Sequence, residues 1–229
     1  MAVEIYQGND LSLQSSDITV VIDVIRAFTV AHYAFFNGAE KIKLVRTVEE
    51  AQSLKEPNVL LAGEINGLPI AEFDLDNSPA RISTIELSGK TLVQKTTNGV
   101  KATLNALNAM ELFVTGFTNA KTTALMIKRK IEREHDMPLI HLIASHPSGD
   151  DDLAVAQYMK DIIEGNNEIS VKEVVDRIIH SHVALKFFDE NQPEFSPEDI
   201  SYCVKEFEGE FVMRVNKNEK IPTVERCLV

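Results

Sequence analysis

Residues 18–38 read ITVVIDVIRAFTVAHYAFFNG, and two periods meet inside them. The first eight, Ile18 to Ile25, form an almost unbroken β-branched run, which suits a strand buried on both faces of a parallel sheet. Over 27–37 the pattern predicts a helix, with Gly38 as a good C-cap residue. The alternation then repeats. Residues 41–45 read as a strand, 48–55 as a helix, and 58–62 as a third apolar strand that Gly63 is expected to stop. Beyond a long polar loop, 91–95, 99–109, 111–115, 119–134 and 138–144 give strand, helix, strand, helix, strand. This order predicts an α/β fold, with a mixed or largely parallel sheet flanked by helices.

The last third changes character. Residues 150–164, 170–180 and 196–207 read as helices, Pro193 and Pro197 break the stretch between the last two, and 210–215 reads as a late strand. With no repeat and no low-complexity linker, the expectation is one α/β domain over 1–229, in which 166–229 completes what 1–165 begins.

Composition narrows the function. The chain has 229 residues and a formal charge of −12, from 35 acidic and 23 basic side chains. Without a basic tract to offset that charge, nucleic acid is not the expected partner. No stretch approaches the roughly 20 apolar residues of a membrane span, and the opening lacks the basic-then-apolar order of a secretion signal, so no membrane role and a cytoplasmic location are expected. Cys203 and Cys227 read as two reduced thiols rather than a disulfide or zinc pair.

Ligands of open α/β sheets gather at the carboxyl ends of the strands, and four polar clusters fall at such ends. In the first, Asp23 interrupts an apolar strand and Arg26 follows. They are either an ion pair with each other, or a metal ligand or nucleophile beside an arginine fork for phosphate. The second, GEINGLPIAEFDLDNSPAR (63–81), reads as about seventeen residues without helix or strand, a length usually tied to function. Glu64 and Asp74 are its hard-oxygen candidates for Mg²⁺; Asn77 and Ser78 either donate to an oxyanion or form the turn before Pro79. In the third, Lys95, Thr96, Thr97, Asn98 and Gly99 stand at a strand-to-helix junction, where either free amides make an anion site, although the Walker spacing is absent, or Asn98 is an ordinary N-cap. In the fourth, SHPSGDDD (145–152), the aspartates either compensate a helix dipole or let Asp151 complete a metal site. His146 reads as a solvated loop histidine, and His180 and His182 are spaced wrongly for a metal pair on a helix.

The ordered series DVIRA (23–27), GE at 63–64 with Gly67, FDLDNSPA (73–80) and TTNG (96–99) resembles the 2-phosphosulfolactate phosphatases over roughly residues 18–165. That resemblance implies a Mg²⁺-dependent acid phosphatase of the coenzyme M route, with that family's α/β fold, and a homodimer. It implies catalytic roles for Asp23, Arg26, Asn77 and Ser78. It also implies phosphate binding by Lys95, Thr96, Thr97, Asn98, Gly99 and Lys101, and metal binding by Glu64, Asp74 and Asp151. The chain departs from the family pattern at Ile65, where an arginine is expected, and at Asn66, Asp76, Lys95, Val100 and Lys101; these changes point to an altered substrate. The expected function is hydrolysis of a small phosphorylated anionic metabolite. The alternative is a non-catalytic phosphometabolite-binding or regulatory protein on the same fold, motivated by Ile65, Lys95 and Val100.

Overall fold

The structure, a computed structural model, describes residues 1–10, 12–134 and 137–229. In chain order its elements are β1 (Ala2–Gln7), β2 (Ile18–Ile22), α1 (Ala27–Phe36), β3 (Lys41–Leu44), α2 (Val48–Ser53), β4 (Val59–Ile65) and β5 (Leu68–Pro69). Then come α3 (Pro79–Ile82), β6 (Thr91–Lys95), α4 (Gly99–Asn105), β7 (Glu111–Thr115), α5 (Ala120–Glu134), β8 (Leu139–Ala144) and α6 (Asp150–Glu164). The chain closes with α7 (Val171–His180), α8 (His182–Leu185), α9 (Pro197–Cys203), β9 (Phe211–Asn216) and β10 (Thr223–Leu228).

All five residues of β2 are buried, as a strand covered on both faces must be. Val20 and Ile22 pack with α5, α6 and α7, whereas Val21 packs with α1 and α4 on the opposite face. Period-two alternation thus divides one apolar run between two helical layers. Gly38 ends the α1 segment with φ +93, a conformation in which an added Cβ would also lie 2.7 Å from Ser88 Oγ.

The sheet has ten strands in the order β1-β8-β2-β7-β9-β10-β3-β6-β4-β5. Two blocks are parallel within themselves, β1-β8-β2-β7 and β3-β6-β4. The hairpin β9-β10 lies between them and pairs antiparallel with β7 on one side and β3 on the other. Three antiparallel steps reverse the direction, so in a flat sheet the carboxyl ends of the two blocks would point apart. Five strand spacings of about 4.8 Å would hold β2 and β6 roughly 24 Å apart in an uncurled sheet. Asp23, just after β2, nevertheless meets the amide of Gly99, just after β6, at 2.8 Å, so the sheet curls as well as twists and closes the two blocks on each other.

The structure corrects several boundaries. Gly63 does not stop β4, which runs through Glu64 to Ile65. The glycine is needed there for space, because a Cβ would stand 1.9 Å from the carbonyl oxygen of Lys95 on the neighbouring strand. The segment after it is not a bare loop: Asn66 and Gly67, both at positive φ, turn β4 into β5, Leu75 bridges back to Ala62, and α3 follows. The run 18–25 yields a strand only to Ile22, after which the chain turns into α1. The helices expected over 99–109 and 196–207 end earlier, at Asn105 and Cys203. Strands β1 and β10 and the short α8 were not expected from the sequence.

Candidate functional site

Strands β2 and β8 are parallel neighbours with Ile22 opposite Ala144, so the residues that follow them emerge side by side. Asp23 follows β2. Ser145 follows β8, and the first turn of α6 brings Asp151 and Asp152. The Ser145 hydroxyl lies between two carboxylates, 3.3 Å from Asp23 Oδ2 and 3.1 Å from Asp152 Oδ2. Asp23 also accepts amide hydrogens from Ala27, at 2.9 Å on Oδ1, and Gly99, at 2.8 Å on Oδ2, the first residues of α1 and α4. Asp152 accepts the amides of Val24 at 2.7 Å and His146 at 2.9 Å. Asp151 accepts the Ser181 hydroxyl at 3.0 Å.

These three carboxylates are 5%, 1% and 1% exposed, and none of them forms an ion pair among the described residues. Burial therefore dominates their acidity. It pushes Asp23 up to about 6, with the amides of Ala27 and Gly99 pulling back and Glu64 adding repulsion. Asp151 is pushed up to about 7, and Asp152 well above the usual carboxylate range, where repulsion from Asp151 and Asp23 adds to burial.

The second block supplies the facing wall. Glu64, near the end of β4, accepts hydrogen bonds from the Gly67 amide, the Thr97 amide and, at 2.9 Å, the Thr97 hydroxyl. The Asn66 amide donates to Thr97 Oγ1 at 2.8 Å. Glu64 thus clasps the β4–β5 turn to the segment after β6. Between the walls lies a cleft of about 390 Å³, lined among others by Asp23, Glu64, Arg26, Asn77, Asn98 and Lys186. The size is that of a small-molecule site.

Among the residues singled out from sequence, Asp23, Arg26, Glu64, Asn77, Thr97 and Asn98 line this cleft. Asn77 is 4% exposed, and its Oδ1 has no hydrogen-bond partner. Arg26 does not form the expected pair with Asp23: it pairs with Asp199 of α9 at 2.7 Å, donates to the Gly67 carbonyl at 2.9 Å, and lies over the Phe187 and Phe195 rings. The guanidinium so held still lines the cleft. Ser78 caps α3 and donates to Asp199, which is the turn-forming role.

Asp74 is not brought to the cleft. It accepts the Leu61 amide at 2.8 Å and pairs with Lys55 of α2, so the structure withdraws it from the metal set. Lys101 pairs with the exposed Asp10 at 3.4 Å, also outside. Lys95 Nζ donates to the Glu64 carbonyl at 3.2 Å. Three amides at the start of α4, where an anion site was expected, already have internal acceptors: Thr97 has Glu64, Gly99 has Asp23, and Val100 has the Thr96 hydroxyl at 3.0 Å. The Asn98 side chain, which accepts from Asn9, is what remains there at the cleft.

Sequence reasoning missed Asp152, Ser145, Asp199 and Lys186. The DDD run contained the signal for Asp152, since two successive helical residues after a buried strand can both turn inward at its end. Asp199 sits in SPEDI, an ordinary capped helix start, and carries no such signal. His146 is not solitary: its ring lies 5.5 Å from that of His182, centroid to centroid, while burial and the neighbouring His182 and Lys186 lower its pKa. His180 is apart from both, its Nδ1 2.7 Å from the Asp176 carbonyl.

Buried carboxylates at the carboxyl ends of parallel strands, faced by amides, hydroxyls and a lysine, make a polar cleft in an α/β protein. Comparison with known proteins gives the family. The family model described as 2-phosphosulpholactate phosphatase matches residues 5–218, and the chain belongs to that family. It is similar to a probable 2-phosphosulfolactate phosphatase of Bacillus subtilis (strain 168), 54% identical over the whole of both chains. A probable 2-phosphosulfolactate phosphatase of Caldicellulosiruptor saccharolyticus is 37% identical over 76% of this chain and 72% of its own. Another, of Clostridium novyi, is 30% identical over 85% of this chain and 91% of its own. Among the described residues no helix is long and apolar enough to cross a membrane.

Proposed function

We propose that this chain is a Mg²⁺-dependent phosphatase that hydrolyses a small phosphorylated acid of the 2-phosphosulfolactate type in the cytoplasm, and that the cleft between the two sheet blocks is where it does so. One observation carries the reading. Asp23, Asp151 and Asp152 are buried together without a cation, an arrangement costly enough to push all three toward the protonated form. A divalent cation reverses that cost, and carboxylate oxygens are the donors Mg²⁺ prefers.

Among the described residues no group of three or more His, Cys, Asp or Glu side chains forms a ready-made cage. That suits Mg²⁺, which keeps several waters and is typically held by only one or two carboxylates together with substrate phosphate. Asp23 and Asp151 are the residues assigned to hold it, with Glu64 beside them; Asp23 takes the place first expected of Asp74. The bound ion supplies neutralisation of charge on the phosphoryl oxygens. The chain's own groups do the rest. Asn77, with an unpartnered buried acceptor whose amide group can equally donate, and Asn98 orient the phosphate oxygens, and Ser145 and Ser181 hold the carboxylates in register.

The test is phosphate release from a panel of phosphorylated hydroxy acids. Release that needs Mg²⁺, stops with EDTA and is lost in Asp23→Asn supports the reading. Full activity in that variant, or no release from any ester by protein shown calorimetrically to bind Mg²⁺, defeats it.

A further inference from the structure

Three cations come near the cleft, and two are already engaged. Arg26 is neutralised by Asp199, and Lys95 donates to a carbonyl. Lys186, on the turn after α8, is the third. No ion pair among the described residues uses it. Its ammonium lies 4.4 Å from the centroid of the Phe195 ring and 5.7 Å from that of Phe187, and it lines the same cleft as Asn77. Two aromatic faces beneath a half-buried ammonium fix the position of the charge without neutralising it. Burial and the adjacent Arg26 lower the Lys186 pKa, with Glu64 and Asp151 pulling the other way, so an arriving anion would relieve a standing electrostatic cost. Beside it stand the rings of His146 and His182, packed edge to face, with Ser148 Oγ 3.4 Å from His182 Nε2.

A cleft of about 390 Å³ is far more than one phosphate fills. If the acidic wall takes the phosphoryl group through a divalent ion, the free ammonium is left for something else.

We propose that Lys186, on its phenylalanine shelf and flanked by His146 and His182, binds a second anionic group of the substrate, a carboxylate or sulfonate carried on the carbon chain that bears the phosphate. This rests on the assignment of the cleft to phosphate esters and deepens it. Lys186 becomes a specificity-determining residue that separates phosphorylated acids from plain phosphomonoesters, and the ion pair made on binding is the source of the discrimination.

The experiment is calorimetric titration, in Mg²⁺, of the full chain with two non-hydrolysable ligands. These are 3-phosphonopropionate, which carries a carboxylate, and propylphosphonate, which does not. A third ligand, 2-phosphonoethanesulfonate, separates sulfonate from carboxylate. Wild type should bind the acid-bearing ligands at least about tenfold more tightly than propylphosphonate, as one partly desolvated charge-assisted contact implies. In Lys186→Gln that preference should fall to within about twofold while propylphosphonate affinity is unchanged, and Lys186→Arg should restore part of it. Equal affinities for all ligands in wild type overturn the proposal, as does an equal loss for all ligands in Lys186→Gln, which would make Lys186 a phosphate contact. Should Lys186→Gln not fold, Lys186→Met and the wild-type ratio decide the matter in the same way. Because phosphonates are not turned over, the result stands apart from catalysis. Discrimination without phosphate release from phosphoglycolate or ethyl phosphate would sink the phosphatase reading and leave this one intact.

Discussion

The two walls of the cleft are both acidic, and they solve the problem of a buried carboxylate in different ways. On the second block, Glu64 accepts three hydrogen bonds from Gly67 and Thr97. On the first block, Asp23, Asp151 and Asp152 also accept amides and hydroxyls, yet lie so close together and so deep that burial and mutual repulsion outweigh those bonds. A carboxylate satisfied by its own neighbours is a clasp, whereas a group of them left in excess awaits a cation. Asp74, paired with Lys55, is a third, plainly structural case.

The comparison can be broken hardest at Asp23. Asp23→Asn turns an amide NH₂ toward one of two backbone donors and removes a proposed metal ligand, and kcat should fall by at least about a hundredfold, given that even outer partners of ligands cost 10–100-fold. Gly99→Ala attacks the same carboxylate from the other side. A Cβ there would lie 2.6 Å from Asp23 Oδ2, so the wall must shift, and activity should drop about a hundredfold with a loss of about 1–3 kcal/mol in stability by denaturant titration. Glu64→Gln should be gentler on chemistry and act on stability, by about 1–3 kcal/mol, because the new NH₂ faces an amide donor that then lacks an acceptor.

The first wall has a pH signature. Folded Asp151 titrates near 7 against about 3.9 unfolded, so in metal-free protein the folded state holds the proton more tightly. Its favourable contribution is complete below about pH 4 and disappears as pH rises toward 7. Asp151→Asn, freed of that charge, should therefore melt several degrees above metal-free wild type at pH 8 and draw level with it as pH falls below about 4, and saturating Mg²⁺ should shrink the gap at pH 8. His32, buried and lowered to about 3, has the opposite dependence but cancels in this difference. The smallest effect belongs to Asp74→Asn, whose activity should stay within about twofold of wild type, since exposed ion pairs are worth little. A large loss of activity there would return Asp74 to the metal set.

Much of the fold was legible because its dominant signal is local. A β-branched run followed by a helical period identifies a βα unit wherever it occurs, and 18–38 supplied the first. What was lost is instructive. Asn66-Gly67 is a strong hairpin signal between Ile65 and Leu68, but Gly63 in front of it read as a stop when it is a close approach between strands. Strand β10 lay beyond the last pattern followed, and its place in the middle of the sheet depends on pairing partners far away in sequence. At the site, single residues at strand ends were readable, so Asp23 and Glu64, which both line the cleft, stood out. Partnerships were not, since Arg26 with Asp199 spans 173 positions and nothing local announces it. The same limit explains the amides of Thr97 and Gly99, which look free in sequence and donate to Glu64 and Asp23 from other strands.

The hairpin β9-β10 has one more implication, and it concerns time. On the ribosome those two strands emerge after every other, yet they form the seam along which the two parallel blocks are paired. Each block can collect its helices as it is made, whereas the cleft draws Asp23 from one and Glu64 from the other, and so waits on β9 and β10. Assembly of the site is thereby coupled to the emergence of that hairpin, and a chain halted before residue 211 would present two unpaired edges, at β7 and β3, to its neighbours.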